Sequence, residues 1–155
     1  MYYGEKLNSI SHLVGAIIAL SALGALLALG IQTGDPLVIV GFTAFGLALV
    51  LLYTMSTLYH SFQEPRLKKA FQLLDHISIY LLIAGSYTPF MLVSLGGSEG
   101  KMILSLVWTL AIIGILSEVF LSGRVVKTIQ LVIYLSMGWA CSLEFASLKA
   151  ALPEA

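Results

Sequence analysis

The sequence has 155 residues, of which 59% are hydrophobic and 10% are charged, and its mean hydropathy is +0.97. Water-soluble domains carry about 25% charged residues, so this chain has too few to cover a water-exposed surface. Eight basic residues balance eight acidic ones, and without an excess of positive charge nothing indicates a nucleic-acid partner. The composition therefore predicts an integral membrane protein in contact with membrane lipids.

Crossing a bilayer takes ~20 mostly apolar residues in a helix. Five segments qualify, at residues 10–30, 37–62, 71–95, 102–121 and 125–148. The stretches between them contain the Gly, Pro, Asp and Ser residues that are typical of turns. We therefore predict an all-α bundle of five transmembrane helices that forms a single domain over residues 1–155. Because the chain stops soon after the fifth segment, we expect a fragment or a truncated form of a longer protein.

The basic residues indicate the orientation, because they collect in short cytoplasmic loops. With the N-terminus in the cytoplasm, six of the eight basic residues lie inside: Lys6, Arg66, Lys68, Lys69, Arg124 and Lys127. Only Lys101 and Lys149 then lie outside. This bias predicts a multi-pass protein of the cell inner membrane with a cytoplasmic N-terminus.

The first segment opens with a polar face. Asn8, Ser11 and His12 recur at i, i+3 and i+4, the spacing of neighbours on one side of a helix, and Glu5 precedes them. Ionisable residues inside a span are costly, so by default they mark functional sites. Asn8 and His12 are therefore candidates to line a cavity, although a histidine at the membrane interface explains His12 equally well.

The second and third segments carry polar residues at the same predicted depth, in the inner leaflet. Ser56 and His60 lie four residues apart near the end of the second segment, and Asp75 and Ser78 lie about one turn into the third. Imidazole is a common zinc ligand, and a nearby carboxylate can hold a metal-bound water. His60 is the candidate ligand, Ser56 its partner one turn away, Asp75 the group that positions or deprotonates water, and Ser78 a further cavity-lining residue. Alternatively, His60 lies among the lipid headgroups and binds a carbonyl group or water.

Two other ionisable residues carry less weight in this pattern. His76 follows Asp75 directly and so points about 100° away around the helix, toward headgroups or a neighbouring helix. Glu118 closes the fourth segment, and its side chain is expected to extend to the interface.

Three stretches of the sequence together resemble a known family. They are Glu5…Asn8…His12, residues 56–62 (Ser-Thr-Leu-Tyr-His-Ser-Phe), and residues 74–90, which begin Leu-Asp-His and end Gly-Ser-Tyr-Thr-Pro-Phe. In order and spacing they resemble the hemolysin III-type proteins, the bacterial branch of the progestin and adipoQ receptor family. The resemblance extends over the whole chain.

This resemblance implies a seven-helix bundle with a zinc ion in the inner leaflet. The family's Ser-x-x-x-His matches Ser56 and His60, with the histidine as ligand, and its acidic residue at the start of the third helix matches Asp75, near a zinc-bound water. The remaining ligands belong to a His-x-x-x-His on a seventh helix, a motif that this sequence lacks. We therefore expect this chain to bind zinc weakly or not at all.

Three functions are compatible with these features. The first is a zinc-dependent hydrolase of lipid amides or esters, because the family resembles alkaline ceramidases; its substrate would enter laterally from the inner leaflet. The second is a non-enzymatic membrane homeostasis or receptor-like protein with structural zinc. The third is cytolysis, which is less favoured because no polar stripe runs through the whole depth of the bundle.

Overall fold

The computed structural model describes residues 4–121, 123–140 and 142, and within these ranges the chain is helical without β-strands. Five α-helices follow one another: α1 (Lys6–Thr33), α2 (Pro36–Ser61), α3 (Pro65–Pro89), α4 (Gly97–Phe120) and α5 (Arg124–Trp139). A π-helical segment, Phe90–Leu95, continues α3. The predicted all-α membrane bundle is confirmed.

Four of the helices are long and apolar enough to cross a membrane: α1, α2, α3 with its π-helical continuation, and α4. The fifth helix is described over 16 residues, and residues 143–148 of the predicted fifth span lie outside the described part of the chain. Much of the surface is apolar; Ile17 and Ile18 are more than half exposed, and Phe120 is 77% exposed. Such a surface is suited to lipid rather than water.

Helices α2 and α3 each begin at a proline, and the acidic residue just before that proline caps the helix. The Asp35 carboxylate accepts a hydrogen bond from the Leu37 amide at 2.8 Å, and Pro36 is the first residue of α2. Glu64 caps α3 in the same way, ahead of Pro65. Proline suits this position because it has no N–H group, and an N–H in the first turn of a helix would have no hydrogen-bond acceptor within the helix.

Helix α3 begins several residues before the apolar span that the sequence predicts. The hydropathy pattern begins the third span at residue 71, about one turn before Asp75, but the helix itself begins at Pro65. From Pro65 to Asp75 the helix rises about 15 Å, at ~1.5 Å per residue. The polar first turns of α3 are therefore helical although they are not apolar.

Helix α3 lies at the centre of the described bundle. It packs against α2 on one side and against α4 and α5 on the other. The buried core of this second side includes Tyr80, Val107 and Met137. The hydroxyl group of Tyr87 donates a hydrogen bond to the Met137 carbonyl at 2.8 Å, which ties α3 to α5.

The contact between α2 and α3 depends on a glycine. A Cβ atom at Gly41 would lie 2.7 Å from the Cα of Pro89, where α3 changes to π-helical geometry. We expect Gly41→Ala to push these backbones apart and to lower stability by about 1–3 kcal/mol, the usual cost of overpacking. Thermal unfolding of the detergent-purified protein would measure the change.

The matched control is Gly24→Ala on α1, where an added Cβ would meet nothing within 4 Å. Alanine is the better helix former by about 1 kcal/mol, so this variant should be as stable as the parent or more so. A Gly41→Ala protein that unfolds at the parent temperature would contradict the close approach of α2 and α3.

Candidate functional site

Polar residues from α1 and α2 meet at one end of the bundle. Successive helices run in opposite directions, so the start of α1 lies beside the end of α2. Glu5 immediately precedes α1, and His60 is the last residue but one of α2. The hydroxyl groups of Ser9 and Ser61 also hydrogen bond to each other across this junction. We call Glu5, Asn8, His12, Ser56 and His60 the α1–α2 site.

The centre of the α1–α2 site is a carboxylate–histidine pair. Nδ1 of His60 lies 2.6 Å from Oε2 of Glu5, and the Asn8 side-chain amide donates to the same oxygen at 3.3 Å. The hydrogen bond with His60 and then that from Asn8 lower the pKa of Glu5 below its ordinary value of 4.5. When His60 is neutral and donates its Nδ1–H to an ionised Glu5, the lone pair of Nε2 is available to a ligand.

His12 stands next to this pair. Its ring centroid is 5.6 Å from that of His60, and its other neighbour is the Tyr53 ring, at 5.9 Å. Nδ1 of His12 is buried and has no hydrogen-bond partner in the part of the chain that the structure describes. A buried ring nitrogen without a partner costs free energy.

The donor atoms of the α1–α2 site meet part of what zinc requires. Zinc binds imidazole nitrogen at ~2.0–2.1 Å and takes three or four protein ligands, and two adjacent imidazoles of which one is held by a carboxylate fit part of such a set. Across the described ranges, no group of three or more His, Cys, Asp or Glu residues could hold a metal ion. His60 and His12 together offer two imidazole nitrogens, fewer than the three or four protein ligands that zinc takes.

The other predicted site residues differ in how they relate to His60. Ser56 is 3% exposed and lies one turn before His60 on α2. Ser78 is fully buried, and its hydroxyl group bonds to the carbonyls of Leu74 and Asp75 in its own helix. Asp75 is half-buried, and no hydrogen bond or ion pair joins its carboxylate to His60 among the described residues. The structure therefore brings Glu5, Asn8, His12 and His60 together, and none of the described contacts joins Ser56 or Asp75 to them.

A second carboxylate–histidine pair connects α3 to α4. Nδ1 of His76 lies 2.6 Å from Oε1 of Glu118, and the side-chain nitrogen of Gln130 on α5 is 3.2 Å from the same Nδ1. The Tyr134 hydroxyl donates to the His76 carbonyl at 3.2 Å. His76 does face neighbouring helices, one of the two predicted options.

For Glu118 the predicted extension to the interface is wrong. Its side chain is only 10% exposed, because it turns inward to His76. The sequence did contain a signal for this pair, because His76 and Glu118 are two ionisable residues in different spans near the same end of the bundle. Helical phase alone could not show that they face each other.

The comparisons with known proteins agree with this architecture. A model of a protein family described as haemolysin-III related matches residues 2–155. The chain belongs to the haemolysin-III related family. This confirms the resemblance drawn from the sequence motifs.

Individual members of the haemolysin-III related family are also similar to this chain. It is 44% identical to Hemolysin-3 of Bacillus cereus over 87% of its own length and 61% of the relative's. A Hemolysin-3 homolog of Bacillus subtilis is 38% identical over 96% of this chain and 69% of the relative. Human monocyte to macrophage differentiation factor is 29% identical over 68% of this chain and 46% of the relative. The chain thus spans about three fifths to two thirds of the bacterial relatives' length, and no solved structure matches it.

Proposed function

We propose that this haemolysin-III related chain is part of a zinc-dependent membrane hydrolase that acts on lipid amides or esters. The observation that supports this most strongly is the Glu5–His60 pair, at 2.6 Å. Histidines that bind metals usually donate their other ring N–H to a carboxylate or carbonyl group, which fixes the tautomer and the ring orientation. Glu5 does this for His60, the ligand expected from the family resemblance.

Each residue of the proposed site has a separate task. Glu5 holds the Nδ1 proton of His60 and presents Nε2, while His12 contributes a second imidazole beside it. Zinc, when bound, would lower the pKa of a water molecule and polarise the substrate carbonyl. The Asp75 carboxylate is the proposed acceptor of a proton from that water. The lipid substrate would enter laterally from the inner leaflet.

The test is hydrolysis of ceramide by a protein of the relatives' full length, purified in detergent and loaded with zinc. Turnover that stops on chelation and returns with added zinc would support the proposal. A metal-free protein that remains folded and hydrolyses ceramide at the same rate would contradict it.

A non-enzymatic protein with structural zinc is the second candidate function. It is favoured by the contacts of Ser9 with Ser61 and of Glu5 with His60, which hold α1 against α2. In that case chelation should lower the unfolding temperature, and the protein should show no hydrolysis with or without zinc.

Cytolysis, which the names of the bacterial relatives suggest, is a third and weaker candidate because the polar residues of the α1–α2 site lie at one end of the bundle.

The proposed location is the cell inner membrane with the N-terminus in the cytoplasm, supported by the six-to-two distribution of basic residues. A fluorescent reporter that folds only in the cytoplasm should be active when inserted at residues 62–64, between α2 and α3. Alkaline phosphatase, which is active only outside the cytoplasm, should be active when inserted at residues 34–35, between α1 and α2. Enzyme and fluorescence assays in whole cells measure both, and the reverse pattern would reject this orientation.

A further inference from the structure

A polar cavity opens between α3, α4 and α5, and none of its residues belongs to the α1–α2 site. Its volume is about 210 Å³. The lining includes polar side chains from all three helices: Lys69, Gln72, His76, Glu118, Lys127 and Gln130. We call it the α3–α5 pocket. A concave site with a few convergent polar groups is the usual form of a small-ligand site.

The inner part of the pocket carries the Glu118 side chain, which is 10% exposed. One oxygen of Glu118, Oε1, binds Nδ1 of His76. The other, Oε2, is buried and has no hydrogen-bond partner in the ranges that the structure describes. Leaving a buried carboxylate oxygen unpaired costs free energy. From the pocket side, a ligand with an ammonium group would complement the charge of this carboxylate.

The rim of the pocket has the opposite charge. Lys69 and Lys127 are exposed, and they lie near the starts of α3 and α5. Gly123, the residue before α5, also lines the pocket, so the N-terminus of α5 lies close by. Lysine side chains and helix N-termini both favour phosphate. The rim is therefore suited to an anion, while the inner part is suited to a cation.

We propose that the α3–α5 pocket binds a phosphoethanolamine group. Its ammonium group would pair with the Glu118 carboxylate, and its phosphate would lie between Lys69 and Lys127. Only two carbon atoms separate the charges, which matches a pocket of this small volume. The group is available as the headgroup of a membrane lipid and as a free soluble compound, and both share the chemistry that the pocket recognises.

Native mass spectrometry of the detergent-purified protein tests this proposal. The protein is equilibrated with equal amounts of phosphatidylethanolamine, phosphatidylcholine and phosphatidylglycerol that carry the same acyl chains. We expect phosphatidylethanolamine to be retained preferentially, because the choline nitrogen has no hydrogen to donate. Equal retention of the ethanolamine and choline lipids would overturn the proposal.

Variants separate the two halves of the pocket. Glu118→Gln should reduce the preference for ethanolamine over choline about tenfold, the usual effect of losing a hydrogen bond to a charged group. Lys127→Gln should weaken retention of all three lipids, since they share the phosphate. The controls are Glu99→Gln and Lys101→Gln, exposed residues at the other end of α4, which should leave retention unchanged. An unchanged preference in a folded Glu118→Gln protein would also overturn the proposal.

Two further measurements test the contact with Glu118 and the origin of the ligand. If Glu118→Gln fails to fold, lipids with one, two or three N-methyl groups are offered to the unmodified protein; a stepwise fall in retention supports the contact with Glu118, and a flat series contradicts it. Soluble O-phosphoethanolamine is then added as competitor. If phosphatidylethanolamine stays bound in the presence of this competitor, the natural ligand is the headgroup of a membrane lipid. If the competitor displaces the lipid, the pocket recognises the same chemistry in a free soluble ligand.

Discussion

His60→Ala should remove most of the bound zinc from a haemolysin-III related protein of the relatives' full length. Nδ1 of His60 is held by the Glu5 carboxylate, which leaves Nε2 for the metal, and a second imidazole, that of His12, lies beside it. Removing one of three protein ligands leaves a site short of nitrogen donors. Elemental analysis after mild chelation measures the loss. On the 155-residue chain alone we expect little or no zinc, because the described residues offer no set of three ligands.

Two companion variants make this result specific. Glu5→Gln keeps the size of the side chain but removes the charge that orients His60, so zinc affinity should fall ~10–100-fold, the usual effect of losing such a partner. His76→Ala should leave zinc content unchanged, since His76 pairs with Glu118 in another part of the bundle. Equal loss of zinc from the His60→Ala and His76→Ala proteins would show that the wrong histidine has been assigned.

Asp75→Ala should reduce ceramide hydrolysis by ~10²–10⁴-fold, the contribution that a positioned general base makes. Bound zinc should remain, because Asp75 is proposed to act on the water and not to bind the metal. Single-turnover hydrolysis with the zinc-loaded full-length protein measures this rate. Asp75→Asn, which keeps the shape of the side chain, should be similarly slow.

The control for Asp75 is Glu99→Ala, an exposed carboxylate in the first turn of α4, which should hydrolyse ceramide at the parent rate. An Asp75→Ala protein that keeps its zinc and the parent rate would rule out the proposed proton acceptor. The structural-zinc alternative would then be favoured, because Asp75 has no described bond to His60.

Much of the fold follows directly from the sequence. Apolar runs of spanning length predict the helices, and the motifs around Asn8, His60 and Asp75 predict the family that the comparisons confirm. What the apolar pattern misses is the true start of α3, because helix starts depend on capping rather than hydropathy. Glu64 and Pro65 supply that signal, and a reading of caps would have found it.

The pairing of the ionisable residues was decided by tertiary structure. Glu5 and His60 are 55 residues apart, and His76 and Glu118 are 42 apart. The sequence determines which face of its own helix each residue occupies, since the helical period is local. It does not determine how far each helix is rotated about its axis or which neighbour that face meets. Those quantities follow from the close packing of whole helices, as at Gly41 and Pro89, so the carboxylate partners of both histidines became visible only in the assembled bundle.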